Sequence, residues 1–286
     1  MELGLHVADF TWEGGPRRLG PTLAEIARSA EAAGFTRLTV MDHLWQIQIN
    51  GPPEDDMLEA YAALGFLAAC TERIALHTLV TGVVYRDPAL LVKAVTTVDV
   101  LSGGRAMLGI GAAWNEEESK GLGLLFPPIA ERFERLEEAL QICRQMWSDS
   151  EDAYEGRHYH LGRTLNSPQM LNPRPKIMIG GSGERKTLRL VAKYADECNI
   201  FGGPEAARKL TVLREHCERE GRDYEEIGKT TLARVDPSGE VGPVIEQLRA
   251  QHELGFTVAY VVPRGTQPLA TVEMLATEVI PEIAKW

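Results

Sequence analysis

Lys176-Ile177-Met178-Ile179-Gly180-Gly181-Ser182-Gly183 is the stretch on which the fold turns. A short apolar strand runs into glycines. The glycines run into a segment where Leu188, Val191, Ala192 and Ala195 recur at helical spacing. The first turn of a helix leaves backbone N–H groups unpaired at the positive end of its dipole, and glycines let an anion approach them closely. Arg185 and Lys186 add positive charge at the same spot. Two readings stay open on these residues: a phosphate-holding turn, or a plain strand-to-helix connection. What surrounds the unit has to separate them.

Outward from it, apolar runs alternate with helix-period segments along the whole chain, the pattern of parallel strands joined by crossover helices. Strands are expected over about 2–7, 37–41, 74–81, 105–110, 177–179, 197–201, 227–234 and 257–262. Helices follow each of them. Thr22 and Glu25 read as a capping box for the first helix, with Leu23, Ile26, Ala27 and Ala30 on its apolar face and Gly34 ending it. Others are expected over about 57–70, from Asp87-Pro88 to Ser102-Gly103-Gly104, and over about 132–147, 186–194, 206–220, 241–254 and 271–284. Eight strand-helix units close an α/β (β/α)8 TIM barrel. The rhythm breaks over about 148–174, where Tyr154-Glu155-Gly156-Arg157-His158-Tyr159-His160-Leu161 reads as a hairpin or extended excursion, an insertion after the fourth helix. A doubly wound open sheet would carry a dinucleotide fingerprint in its first turn, and no Gly-rich linker divides the chain, so residues 1–286 read as one barrel domain.

The 286 residues, 44% of them hydrophobic, are ample for a large core. A formal net charge of −11 argues against nucleic acid or an acidic membrane as partner, so any phosphate site has to be local. The N-terminus lacks the apolar run of a signal peptide, and the expected location is cytoplasmic. Cys70, Cys143, Cys198 and Cys217 show no zinc or disulfide spacing and read as buried free thiols.

In a barrel the chemistry sits just past the C-terminal ends of the strands. After the second strand stand Asp42, His43 and Trp45: either a carboxylate beside an imidazole suited to proton exchange, or an N-cap with a partly exposed histidine. Thr81 is placed either to bond a heterocycle or to line the barrel. Gly111, Ala112 and Ala113 leave a hollow for a flat ring, with Trp114 as its wall, or they pack strand against helix. His6, Phe10 and Trp12 suit an aromatic substrate wall, and Trp45 is expected to shape the same substrate mouth, although one histidine on an apolar strand also fits a satisfied core. Glu116, Glu117 and Glu118 read as a solvated helix start, and they lack the companions of a metal site, so no metal is expected.

Taken together, Val40-Met41-Asp42-His43-Leu44-Trp45, Thr78-Leu79-Val80-Thr81-Gly82, Tyr85-Arg86-Asp87-Pro88, Leu101-Ser102-Gly103-Gly104-Arg105, Gly109-Ile110-Gly111-Ala112-Ala113-Trp114 and Ile179-Gly180-Gly181-Ser182-Gly183 resemble the luciferase-like monooxygenase superfamily, and within it the flavin- and coenzyme F420-dependent oxidoreductases. The resemblance covers nearly the whole chain. It implies a TIM barrel with an insertion, a flavin or deazaflavin ring in the barrel mouth and its phosphate on the glycine loop. By the same resemblance Asp42 contacts the ring, His43 faces the substrate, and Thr81 bonds the ring's polar edge. Gly111, Ala112, Ala113 and Trp114 line the ring, while Gly180, Gly181, Ser182, Gly183 and Arg185 hold the phosphate. The family's non-proline cis peptide is expected near Thr78-Leu79, behind the ring. Trp114 stands where the sugar-phosphate dehydrogenase branch has a glutamate proposed as proton donor, which argues against a hexose phosphate. The Asp-His pair is similar to the deazaflavin branch, so the resemblance implies first an F420-dependent oxidoreductase acting on a small organic substrate. The alternative is an FMN-dependent monooxygenase served by a separate reductase. A homodimer is implied in either case. A barrel that binds cofactor without turnover is the third reading.

Overall fold

Side chains alternate across each strand, and in this sequence the alternation sorts residues into an outside that meets helices and an inside that meets only other strands. In the computed structural model, which describes residues 1–171, 174–235, 239–263, 265 and 267–286, the eight strands are β1 (Glu2–Val7), β2 (Arg37–Val40), β3 (Ala75–Thr78, resuming at Thr81–Gly82), β4 (Met107–Gly111), β5 (Lys176–Gly180), β6 (Glu197–Asn199), β7 (Gly228–Val235) and β8 (Val258–Pro263). Every pairing between them is parallel, and β1 joins β8 through Leu3↔Ala259 as well as β2 through Leu5↔Leu38. The third strand carries the seam. Its lower half pairs with β2, its upper half pairs with β4 through Thr81↔Ile110, and a bridge at Leu76↔Ala106 completes the cylinder. The expected (β/α)8 barrel is the observed one.

Outward-facing Leu3, Leu5, Leu38, Leu76, Leu108 and Ile177 join the main core with the surrounding helices, whereas Leu79, Met178, Val258 and Tyr260 form a separate cluster inside the cylinder. Below that cluster the barrel is filled by polar side chains. Arg37 donates to Glu197 and to the Tyr260 hydroxyl at 3.1 Å, and that hydroxyl also meets His77 Nε2 at 2.9 Å. Burial, aided by the Arg37 charge, pushes His77 down to about 3, so it is neutral at ordinary pH. Since the lower half of the cylinder is packed solid, any site has to be at the upper, C-terminal end.

Several local expectations change. The first helix is Pro16–Ala33, with Gly15 as N-cap and Pro16 in the first turn, so Thr22 and Glu25 lie inside it and form no cap. Proline at the first helical position sets φ without losing a needed N–H, and it wins over the Thr-x-x-Glu spacing. Asp87 does precede the helix Pro88–Ser102, but its side chain makes no capping hydrogen bond. The strand expected over 74–81 is interrupted by Leu79 and Val80, and the non-proline cis peptide is Leu79–Val80, one residue beyond its expected place. The segment after the helix Ile129–Met146 holds a two-residue-by-two-residue antiparallel hairpin, Tyr154–Glu155 with His160–Leu161. It leans on that helix through Tyr154 Oη donating to Gln141 Oε1 at 2.7 Å and Arg157 N donating to Glu138 Oε1 at 2.8 Å. Residues 172 and 173 of the expected insertion lie outside the described residues. Cys143, Cys198 and Cys217 are buried free thiols, while Cys70 is partly exposed.

Candidate active site

A cavity of about 1200 Å³ opens at the C-terminal end of the barrel, larger than the ~300–1,000 Å³ of ordinary small-molecule pockets. All eight strand ends reach it: Ala8 after β1, His43 after β2, Leu79 to Gly82 in the broken third strand, Gly111 to Trp114 after β4, Gly180 and Gly181 after β5, Phe201 to Gly203 after β6, and Arg234 and Val262 at the tops of β7 and β8. The break in the third strand makes the floor. There Val80 lodges among glycines, so that a Cβ at Gly180 would fall 2.9 Å and one at Gly111 3.2 Å from its methyl groups. At Gly109 a Cβ would fall 2.0 Å from the Thr78 carbonyl oxygen, which leaves room for no other residue. The end of β4 is re-aimed at Ala113, whose φ is 61° and whose carbonyl accepts from Arg132 Nη1 at 2.6 Å.

Of the residues singled out from sequence, His43, Leu79, Thr81, Gly111, Ala112, Ala113, Trp114, Gly180, Gly181 and His6 come together around this cavity. Asp42 does not line it. Its carboxylate is buried behind the wall and accepts from Arg86 at 2.6 and 2.9 Å, the two-pronged geometry favoured by guanidinium and carboxylate. Burial pushes the Asp42 carboxyl above the ordinary aspartate range, although Arg86 pulls the other way. Thr78 also sits behind the wall. Its hydroxyl donates to the Gly109 carbonyl at 2.9 Å and lies 2.9 Å from the Thr81 hydroxyl, which in turn meets Tyr61 Oη at 2.8 Å.

The glycine loop divides. Gly181, at φ 121°, faces the cavity beside Thr187, but its amide donates to the Asn199 carbonyl at 3.0 Å and is committed to the barrel rim. Ser182, Gly183 and Arg185 lie beyond the lining, where Ser182 Oγ accepts from the Phe201 amide at 3.4 Å. The helix itself begins at Thr187. Phe10 and Trp12, expected as a substrate wall, are 0% and 6% exposed and pack on each other at 5.5 Å in the core. Trp45 faces a second, smaller hollow of about 510 Å³ that it shares with Gln46, Pro53 and Asn115.

The residue that sequence reasoning missed is Glu118. It is 1% exposed, not solvated. Its Oε2 lies 2.7 Å from His43 Nδ1 and accepts from Tyr85 Oη at 2.6 Å, and its Oε1 accepts from the amides of Leu44 and, at 2.9 Å, Trp45. A local signal existed: Asn115 and Glu118 have capping spacing, and Asn115 Oδ1 does accept from the Glu118 amide at 3.3 Å. The glutamate that would ordinarily turn back to its own helix reaches across to the loop after β2 instead. Trp114 is 64% exposed and stands edge-on to His43, with ring centroids 5.4 Å apart. Among the described residues no cluster of His, Cys, Asp and Glu is arranged to hold a metal ion, and no helix is long and apolar enough to cross a membrane.

Comparison with known proteins agrees with this geometry. An uncharacterized protein of Mycobacterium tuberculosis is 29% identical over 91% of this chain and 94% of its own length. An F420-dependent glucose-6-phosphate dehydrogenase of Kineococcus radiotolerans is 30% identical over 82% of this chain and 69% of its own. Among solved structures, an F420-dependent secondary alcohol dehydrogenase in complex with an F420-acetone adduct superposes with a TM-score of 0.85 at 17% identity, covering 99% of this chain and 98% of that one. The long-chain alkane monooxygenase LadA has a TM-score of 0.83 at 12% identity, covering 100% and 91%. At such identities these two structures share the fold. The sequence profile of the luciferase-like monooxygenases matches residues 11–237. With that match over most of the chain, on a barrel whose mouth is built by all eight strands, the protein belongs to the luciferase-like monooxygenase family.

Proposed function

We propose that this protein is an oxidoreductase that moves a hydride between coenzyme F420 and a small, largely apolar organic substrate. The observation that carries the reading is the lining of one cavity, which brings together Leu79 and Val80 from the break in the third strand, the small residues Gly111 to Ala113, and His43 beside Trp114. The cavity, about 1200 Å³, has room for a tricyclic ring lying over Val80 and the small residues that pack around it. Its anionic tail would run past Gly181 toward Thr187 at the positive end of the helix Thr187–Tyr194, where the amides of Leu188 and Leu190 already donate to the Gly183 and Lys186 carbonyls. When bound, a reduced deazaflavin supplies hydride from carbon and reacts poorly with oxygen. The protein's own part is to hold that carbon against the substrate, exclude water and handle a proton at His43.

The same hollow suits FMN. What favours F420 is that several relatives at about the same distance in sequence carry that coenzyme in their names. What speaks against a hexose phosphate is the apolar share of the lining, with Ile47, Ile49 and Trp114 among the residues around the cavity that holds His43. The reading carries with it a cytoplasmic homodimer, and a separate reductase only in the FMN case. Titration of the purified protein with F420 and with FMN, followed by the fluorescence of each, tests it. Saturable binding of F420 and F420-dependent turnover of small alcohols or carbonyl compounds are expected. Tight uptake of FMN with indifference to F420 overturns the reading.

A further inference from the structure

We infer that Glu118 is the positioning residue for His43: its carboxylate fixes the imidazole as the Nδ1–H tautomer and leaves the Nε2 lone pair for the cavity. This deepens the functional reading, since it rests on His43 being the side chain that meets substrate. The argument is one of donors and acceptors. A carboxylate has about four lone-pair sites on two oxygens. Here four groups converge on them: the Leu44 and Trp45 amides on Oε1, and Tyr85 Oη and His43 Nδ1 on Oε2. Amides can only donate, and a carboxylate can only accept while it is ionised. Burial alone would raise the Glu118 carboxyl, but the hydrogen bonds from His43, Tyr85 and the Trp45 amide outweigh it and hold the group below the ordinary glutamate range. Glu118 is therefore charged, and Nδ1 has to carry the hydrogen.

The plane of the imidazole is fixed as well. Tyr85 stands edge-on at 6.3 Å between ring centroids and Trp114 edge-on at 5.4 Å, while the backbone amides of Leu44 and Trp45, next to His43 in the chain, share its carboxylate. With Nδ1 tied behind, the remaining nitrogen belongs to the edge that faces the cavity. His43 then offers a substrate an acceptor, matched to a hydroxyl, and the imidazolium formed when Nε2 takes a proton already has its counter-charge 2.7 Å away.

The test is Glu118→Gln. Two amides point at Oε1, so the glutamine oxygen stays with them and its NH₂ group takes the place of Oε2. That group can only donate to Nδ1, and His43 switches to the Nε2–H tautomer. Long-range ¹H–¹⁵N NMR of the full chain, with the His43 signals assigned by their loss in His43→Asn, reads the tautomer directly and needs no cofactor. Expected are Nδ1–H in the parent protein and Nε2–H in Glu118→Gln, with kcat lowered by at least about tenfold and KM nearly unchanged, since a positioned acid or base contributes roughly 10²–10⁴. Binding of F420 should shift by less than about twofold, which is under roughly 0.5 kcal/mol. Nε2–H in the parent, or an unchanged tautomer in the variant, overturns the inference. The parent measurement decides even if the variant fails to fold. Absence of F420 binding in both proteins would end the functional reading while leaving the tautomer result standing.

Discussion

Replacing Arg86 by methionine should open a stability deficit that grows with pH. Arg86 is the partner of Asp42, whose side chain is 0% exposed, and the bonds are 2.6 and 2.9 Å. Methionine keeps most of the apolar stem and removes the charge. Breaking a buried pair from one side leaves an uncompensated carboxylate, which costs about 3–5 kcal/mol. The carboxyl can escape that cost by taking a proton, and this sets the sign. In the parent, burial already holds the folded pKa of Asp42 above its ordinary value. Without Arg86 it climbs further. A carboxyl whose folded pKa exceeds its unfolded one is at no disadvantage while both states are protonated, and it loses stability as pH rises from the unfolded pKa through the folded pKa. Relative to the parent, the deficit opens above the parent's own raised folded pKa with a limiting slope of about 1.4 kcal/mol per pH unit, so it should be clearly smaller at about pH 5 than at about pH 8, where it should reach about 3–5 kcal/mol. A further ~0.5–1 kcal/mol, independent of pH, comes from the lost contact of the guanidinium with the Tyr61 ring, now 4.8 Å away. For a chain of this length the higher-pH deficit corresponds to a fall in Tm of roughly 6–10 °C. Urea unfolding followed by circular dichroism at the two pH values measures it. Asp42→Asn combined with Arg86→Met should recover most of the loss at high pH and flatten the dependence. A deficit equal at both pH values, or a double variant no better than the single one, refutes the argument.

Two further substitutions probe the floor and the tail end of the cavity. Gly181→Asp and Gly181→Ala carry the same backbone strain at φ 121°, so their difference isolates charge. The aspartate should bind F420 at least about tenfold more weakly than the alanine, roughly 1.4 kcal/mol, and equal dissociation constants would remove the anion from this end of the cavity. Gly109→Ala puts a methyl group 2.0 Å from the Thr78 carbonyl oxygen and should lower stability by about 1–3 kcal/mol or more, seen as a lower Tm together with weaker coenzyme binding. An unaltered Tm would mean that β4 can move away from the third strand.

Much of the scaffold was legible along the chain because its signals are local. Apolar periodicity placed all eight barrel strands and set the helix Ala206–Glu220 at its observed bounds. Glycines ending β4 and β5 marked where backbones approach, since only a missing Cβ admits Val80 between them. The errors have local causes too. Thr22 and Glu25 have the spacing of a cap, but Pro16 starts the helix earlier. Phe10 and Trp12 looked like a mouth because they follow β1, whereas the loop turns them into the core.

The chain by itself determined that eight strands would alternate with helices and that their upper ends would gather small residues, His43 and a glycine turn, because strand pairing and helix faces are written in neighbouring residues. It could not determine which polar groups would meet. Glu118 lies 75 positions from His43 and 33 from Tyr85, and three consecutive glutamates look alike until closure of the barrel buries one of them and leaves two in water. Asp42 and Arg86, 44 positions apart, were likewise joined only by the packing of the third strand against the second. Burial and hydrogen-bond partnership are properties of the closed cylinder, and they decide which carboxylate stays charged against His43 and which is held behind the wall.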